Sequence, residues 1–241
     1  MTLPDLTKLY AVAEATWPPA QAYAQHGFTN RDGRGGGKRV SAATLSDGLE
    51  SADIELAEKE MLGLGQERLF MIRDGDDALD AALADRGYRV IDPVNVYAVK
   101  AADLTRDDIP RTIAIPAWEP LKIMEEIWAA GGIGPARINV MRRASSPKTG
   151  IISRFNDKPA GTSFIAMHEG VTMLHALEVV PAQRRNGLGR WAMRRAGHWT
   201  LQNGGHTVSV LCTQANDAAN GLYQSLGMTL IGAYHYRIKT E

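Results

Sequence analysis

Between Val171 and Ile238 the spacing of apolar residues switches repeatedly between strand and helix period, and one glycine turn at such a switch constrains the fold most. Val171 to Val180 reads as a strand, ended by Pro181, which has no N–H to give to a ladder. The turn Arg184-Arg185-Asn186-Gly187-Leu188-Gly189 follows, after which Leu188, Ala192, Ala196 and Trp199 recur at helical spacing. Asn203-Gly204-Gly205 stops that helix and Thr207 to Thr213 returns as a strand. Strand, crossover helix and second strand make a βαβ unit with a right-handed crossover. Gly187 and Gly189 let backbone approach a ligand, and free N–H groups at the helix start form an anion site with the positive end of the dipole. Arg184, Arg185 and Arg190 add charge there, although three arginines also describe an ordinary solvated face.

Upstream, a helix over Leu6 to Ala15 stops at Trp17-Pro18-Pro19. Gly33 to Ser41 invites a phosphate-loop reading but lacks the required first glycine, where Asp32 stands, and has Arg39 instead of Ser or Thr after Lys38. It reads as a hairpin loop leading into Val40 to Leu45. Helices over Glu55 to Leu64 and Asp76 to Arg86 flank a strand, Leu69 to Ile72, and another strand spans Arg89 to Val99. The polar run Ala101 to Asp108, ending at Pro110, marks a domain boundary, giving 1–105 and 106–241. A length of 241 residues, beyond one comfortable core, agrees with two domains. The second domain then reads as strand Arg111 to Ile115, helices Leu121 to Ala130 and Ala136 to Arg143, and a hairpin of Gly150 to Phe155 with Thr162 to His168.

Leu177-Glu178-Val179-Val180-Pro181-Ala182-Gln183-Arg184-Arg185-Asn186-Gly187-Leu188-Gly189 resembles the coenzyme A binding motif of the GNAT superfamily of N-acetyltransferases, an Arg/Gln-x-x-Gly-x-Gly/Ala turn after an apolar strand. Asn216-Asp217-Ala218-Ala219-Asn220-Gly221-Leu222-Tyr223-Gln224-Ser225-Leu226-Gly227-Met228 resembles that family's Asn-x-x-Ala-x-x-Leu-Tyr-x-x-x-Gly-Phe helix. The resemblance runs from about Arg111 to Lys239. It implies an α/β (α+β) fold: a mixed, mostly antiparallel sheet with a central parallel βαβ unit, flanked by helices. A shift of 140 positions lays Asp77-Ala78 on Asp217-Ala218, Gly87 on Gly227 and Ile91 on Ile231. The expectation is thus a tandem of two such domains. Residues 1–105 would be a degenerate copy without a coenzyme site, having Leu83 where Tyr223 stands, and 106–241 would bind acetyl-coenzyme A.

The same resemblance implies the site. Backbone of Val179 and Val180 would pair with the pantetheine arm like an added strand, and Arg184, Arg185, Asn186, Gly187, Leu188, Gly189 and Arg190 would surround the pyrophosphate. A bulky acid at Gly189 would then sit where phosphate belongs. Asn216 would bond the pantetheine, a role compatible with capping the next helix. Tyr223 would protonate the departing sulfur, with core packing as its structural alternative. Leu174-His175-Ala176-Leu177 resembles the His-Ala-Leu of arylalkylamine N-acetyltransferases, which makes His175 the candidate base or water relay, against a histidine simply bonded at a strand surface. Met173 stands where those enzymes carry a second histidine and where histone acetyltransferases place a glutamate. Glu178, at an odd offset from His175, is expected on the opposite sheet face. Trp118, Trp128 and Arg137 lie where the family builds its acceptor site, core packing explaining the tryptophans equally well.

Composition sets the outer limits. Lys+Arg and Asp+Glu both number 27, so no global field draws the chain to nucleic acid or an anionic membrane, and a small-molecule amine is the expected partner. The one cysteine, Cys212, permits no internal disulfide, agrees with a reducing compartment and reads as a buried strand residue. No basic-then-apolar leader opens the sequence and no apolar run approaches the ~20 residues of a membrane span, so a cytoplasmic location is expected. No metal is expected, and a homodimer stays open. The leading reading is an N-acetyltransferase moving acetyl from acetyl-coenzyme A to a primary amine of a small molecule or amino acid; the second is a catalytically lapsed coenzyme-binding sensor or scaffold.

Overall fold

The computed structural model describes residues 2–46 and 48–240. Helix α1 (Leu6–Thr16) opens the chain, its first turn capped by Asp5, whose carboxylate accepts from Lys8 N. A hairpin of β1 (Gln21–Gln25) and β2 (Phe28–Asp32) follows, an element the sequence reading missed because these polar strands lack an apolar alternation. Short β3 (Thr44–Leu45) pairs with β2, and this small sheet joins the main one by a bridge from Ala43 to Phe70. Then come α2 (Ile54–Gly63), β4 (Arg68–Ile72), α3 (Asp77–Asp85) and β5 (Arg89–Lys100). The strand expected at Arg111 to Ile115 is instead β6 (Ala114–Ala117): residues 111–113 form a turn, with Ile113 N donating to Pro110 O. After it come α4 (Lys122–Ala130), α5 (Pro135–Arg143), β7 (Lys148–Phe155), β8 (Lys158–His168), β9 (Val171–Val179), α6 (Leu188–Gln202), β10 (Thr207–Thr213), α7 (Asp217–Ser225) and β11 (Thr229–Lys239).

The main sheet has eight strands in the order β4-β11-β5-β10-β9-β8-β7-β6. Only β9 and β10 run parallel; every other pair is antiparallel. Alternation along the strands sorts the helices onto two faces. Tyr97, Val99, Leu174 and Val208 pack with Met193, Ala196 and Tyr223 under α6 and α7. Leu69, Val94, Met173 and Tyr234 pack with Leu9 and Val12 of α1, and Phe164 and Ala166 with Met124 and Trp128 of α4 on that same side.

The shift of 140 positions reappears as geometry. It carries α3 onto α7, β4 onto β10 and β5 onto β11. The pairing is exchanged: β11 lies between β4 and β5, and β5 lies between β11 and β10. Registers correspond as well, since His235 faces Ile72 while its counterpart Asn95 faces Cys212. Even the polar ties repeat. Asp80 of α3 accepts from Arg237 Nε (2.7 Å) and bonds His235 Nε2 (2.7 Å) on β11, while Asn220 of α7 accepts from Tyr97 Oη (3.0 Å) and Asn95 Nδ2 (3.0 Å) on β5.

Candidate active site

Beta strands 9 and 10 pair from Val171–Thr207 to Leu174–Val210 and then part. A bulge in β9 accompanies the parting. Phe164 of β8 faces His175 but Thr162 faces Glu178, so two residues of β9 stand against one of β8. Ala176, in this bulge, has φ +52, a left-handed conformation that a non-glycine residue holds only at a cost. Buried Trp128 secures it, donating Nε1–H to Ala176 O at 2.8 Å. The bulge also corrects the expectation for Glu178. The extra residue reverses the parity, so Glu178 shares the face of His175, where its carboxylate meets Arg184 (3.2 Å).

Where β9 ends, the chain turns into α6. Gly187 is the N-cap residue with φ +76, and no side chain caps the helix, so the first-turn N–H groups remain for a ligand. Leu188 sinks into the core at 3% exposure, leaving only its backbone for any ligand. Arg184 and Arg185 are exposed around the turn; Asn186 Nδ2 donates to Gln183 O (3.2 Å), and Arg190 reaches Ser225 Oγ (3.0 Å). Val180 N already donates to Ala160 O (2.9 Å), and Val179 O accepts from Arg184 Nε (3.2 Å). A Cβ built on Gly189 would lie 2.8 Å from Leu222 Cδ2 and 3.7 Å from Leu177 Cδ2. Its smallness therefore serves the approach of α7, and a side chain there would not point at an anion as expected.

Asn216 caps α7, accepting from Ala219 N at 3.1 Å. Two turns later Tyr223 is 5% exposed, its ring 5.9 Å from that of Tyr97, and its hydroxyl has no hydrogen-bond partner among the described residues. Burial first, then the nearby Cys212, raises its pKa above that of an ordinary phenol. Burial likewise pushes the Cys212 thiol up to about 11, which suits a strand residue and not a nucleophile.

On the α1 face, directly across the parted strands, lies a cavity of about 610 Å³. His175, Ala176, Leu211 and Thr213 form its floor at the divergence, and Tyr234 and Tyr236 continue it. Its opposite wall comes from the glycine-rich segment Gly35 to Arg39 and from Gln66 and Glu67. Arg137 lines this cavity, whereas Trp128 is fully buried and Trp118 packs on Phe164 at 5.3 Å. The sequence reading missed Arg39, Tyr234 and Tyr236, which local pattern could not place beside His175.

His175 is 4% exposed and both ring nitrogens are engaged. Arg39 Nη1 lies 3.1 Å from Nδ1, and a guanidinium only donates, so Nδ1 accepts. Thr16 Oγ1 donates to Val12 O (2.6 Å) and so accepts the proton of Nε2 at 2.9 Å. Burial first, then the charge of Arg39, holds the imidazole pKa well below its usual value. The ring is thus a neutral, oriented group without the free lone pair of a base. Met173 beside it on β9 is fully buried.

Two parallel strands thus part beside a glycine-started, uncapped helix on one face of the sheet, with the cavity on the other face. Residues 120–228 match the Acetyltransferase (GNAT) family, so this part of the chain is a GNAT domain, and the match supports an acyltransferase enzyme. An uncharacterized N-acetyltransferase, YobR, of Bacillus subtilis (strain 168) is 27% identical over 249 residues, covering 98% of this chain and 99% of that one. A GCN5-related N-acetyltransferase from Kribbella flavida has a TM-score of 0.71 at 15% identity, over 100% of this chain and 97% of that one. A tandem GNAT protein from the clavulanic acid biosynthesis pathway has a TM-score of 0.55 at 12% identity, over 82% and 74%. Those two share the fold. Among the described residues no helix is long and apolar enough to cross a membrane, and no cluster of three or more His, Cys, Asp or Glu could hold a metal.

Proposed function

We propose that this chain is an N-acetyltransferase that moves the acetyl group of acetyl-coenzyme A to a primary amine of a small molecule or amino acid by direct attack. The observation that carries the reading is the opening between β9 and β10 beside the uncapped N-terminus of α6. The first-turn N–H groups of α6, with Arg184, Arg185, Asn186 and Arg190, suit a pyrophosphate, and the backbone at Val179 an extended pantetheine arm, while Val180 N, paired with Ala160 O, holds that edge to β8. The amine nitrogen attacks the thioester carbonyl from the cavity side, the carbonyl π bond becomes an oxyanion, and on collapse the C–S bond breaks. Tyr223 gives the departing thiolate its proton, and the nitrogen releases one to water in the cavity. Holding both reactants in line supplies much of the rate. Residues 1–105 serve as the copy without a coenzyme site and 106–241 as the copy with one; the supporting features are the exchanged repeat and buried Leu83 at the place of Tyr223. A reducing cytoplasm fits the single buried thiol of Cys212.

Thiol release from acetyl-coenzyme A, followed across a panel of primary amines, tests this directly. Turnover with at least one amine is expected. Tight coenzyme binding with no turnover by any amine would leave the chain a lapsed sensor or scaffold, the reading favoured by the committed nitrogens of His175.

A further inference from the structure

Arg39 stands in the cavity wall without an anion. Its Nη1 is bonded to the neutral ring of His175, its Nε has no partner, and it forms no ion pair among the described residues. The groups around it are Trp17, His175 and the phenols of Tyr234 and Tyr236, none of them a carboxylate. The cavity's other charges do not supply the missing partner. Lys38 is spent on Asp92, Arg137 forms no ion pair among the described residues, and Glu67 is an exposed residue on the wall. A half-buried guanidinium that lines a cavity and has no counter-charge is a ready partner for a bound anion. The floor of the same cavity is the point where β9 and β10 part, so a ligand lying there has one end at the transfer point and the other at Arg39.

We propose that the acceptor amine also carries a carboxylate, which is seated on Arg39, and that His175 positions the guanidinium to receive it. The inference rests on the transferase reading for the role of the amine, but the carboxylate site stands on the cavity alone. A planar carboxylate matches a guanidinium fork, and such charge-assisted bonds are about twice as strong as neutral ones. His175 touches no substrate in this scheme. Its Nδ1 holds Nη1 while Thr16 holds the ring, which explains why both nitrogens are committed.

The test uses the full chain saturated with coenzyme A and a set of L-amino acids, each matched with its own carboxamide. Binding is read by saturation-transfer NMR, and transfer from acetyl-coenzyme A by kcat and KM. At least one acid is expected to outbind its carboxamide by roughly tenfold or more, the scale of a lost charge-assisted bond. Arg39→Gln should bring that acid down to the level of the carboxamide without changing coenzyme affinity, and Arg39→Lys should keep part of the preference. His175→Gln should raise KM for the acid while kcat holds, which a merely structural loss would not do selectively. Equal binding of acid and carboxamide by the wild type, binding of none of the acids, or an undiminished preference in Arg39→Gln would each overturn the proposal. If Arg39→Gln does not fold, the wild-type comparison decides. An acid that binds through Arg39 but is never acetylated would sink the transferase reading and leave this site standing; carboxamides acetylated as well as acids would do the reverse.

Discussion

At position 223 a phenol with an unbonded hydroxyl lies among apolar side chains behind the parted strands. Burial keeps it protonated at neutral pH, as a proton donor must be. Tyr223→Phe keeps the ring and its packing against Tyr97, so kcat is expected to fall by ~10²-fold with coenzyme affinity nearly unchanged. A fall in coenzyme affinity and melting temperature with kcat intact would make it a packing residue. At His175 the consequence is one of stability. Its folded pKa is depressed below the ~6.5 of a free imidazole, so the unfolded chain takes up a proton that the folded chain refuses. The stabilisation is complete above about pH 6.5 and is lost as the pH falls below it, at up to ~1.4 kcal/mol per pH unit. Urea unfolding at about pH 7.5 and 5.5 should show this loss in the wild type, and His175→Gln should reduce it by ~1 kcal/mol or more.

The start of α6 separates two glycines that the sequence presents as equivalents. Gly187 holds φ +76, where a Cβ is strained by ~1 kcal/mol, and the first-turn N–H groups after it have no side-chain cap. The Cβ direction of Gly189 points instead at Leu222, whose Cδ2 is the movable end of a side chain. Gly187→Ala is therefore expected to lower the melting temperature of the free protein and to weaken coenzyme binding about tenfold or more. Gly189→Ala should leave coenzyme affinity within a few-fold. Calorimetric titration of both variants checks the pair; the reverse order of effects would show that the anion site is misplaced.

In the whole molecule the exchanged strands tie the halves together. A chain of 106–241 alone would lack β5, the neighbour of both β10 and β11, and would expose two long strand edges. Neither 1–105 nor 106–241 is expected to show a cooperative melt by circular dichroism, whereas the two expressed together should form a complex that binds coenzyme A. A cooperatively folded, coenzyme-binding 106–241 would show that the boundary separates autonomous units. The same exchange brings the glycine-rich segment Gly35 to Arg39 over His175, so one half supplies a wall of the other's cavity.

Local pattern by itself determined the order and type of most elements, because apolar periods of two and three to four residues depend only on which face each residue turns to the core. It also determined the glycine turn, the helix bearing Tyr223 and the shift of 140 positions, all of which are written in short runs of residues. The polar hairpin β1–β2 carried no such period and stayed hidden. Tertiary structure alone decided the rest. The bulge at Ala176 moved Glu178 to the face of His175, a reversal of parity set by pairing with β8 and invisible in spacing. The strand exchange joined two apparent domains into one sheet, because a strand's partners are chosen across the whole chain. And Arg39, which the sequence shows only as the residue that spoils a phosphate loop, became the hydrogen-bond partner of a histidine 136 positions away. Contacts between residues so distant in sequence leave no local period, so only the folded chain could bring that charge to the candidate site.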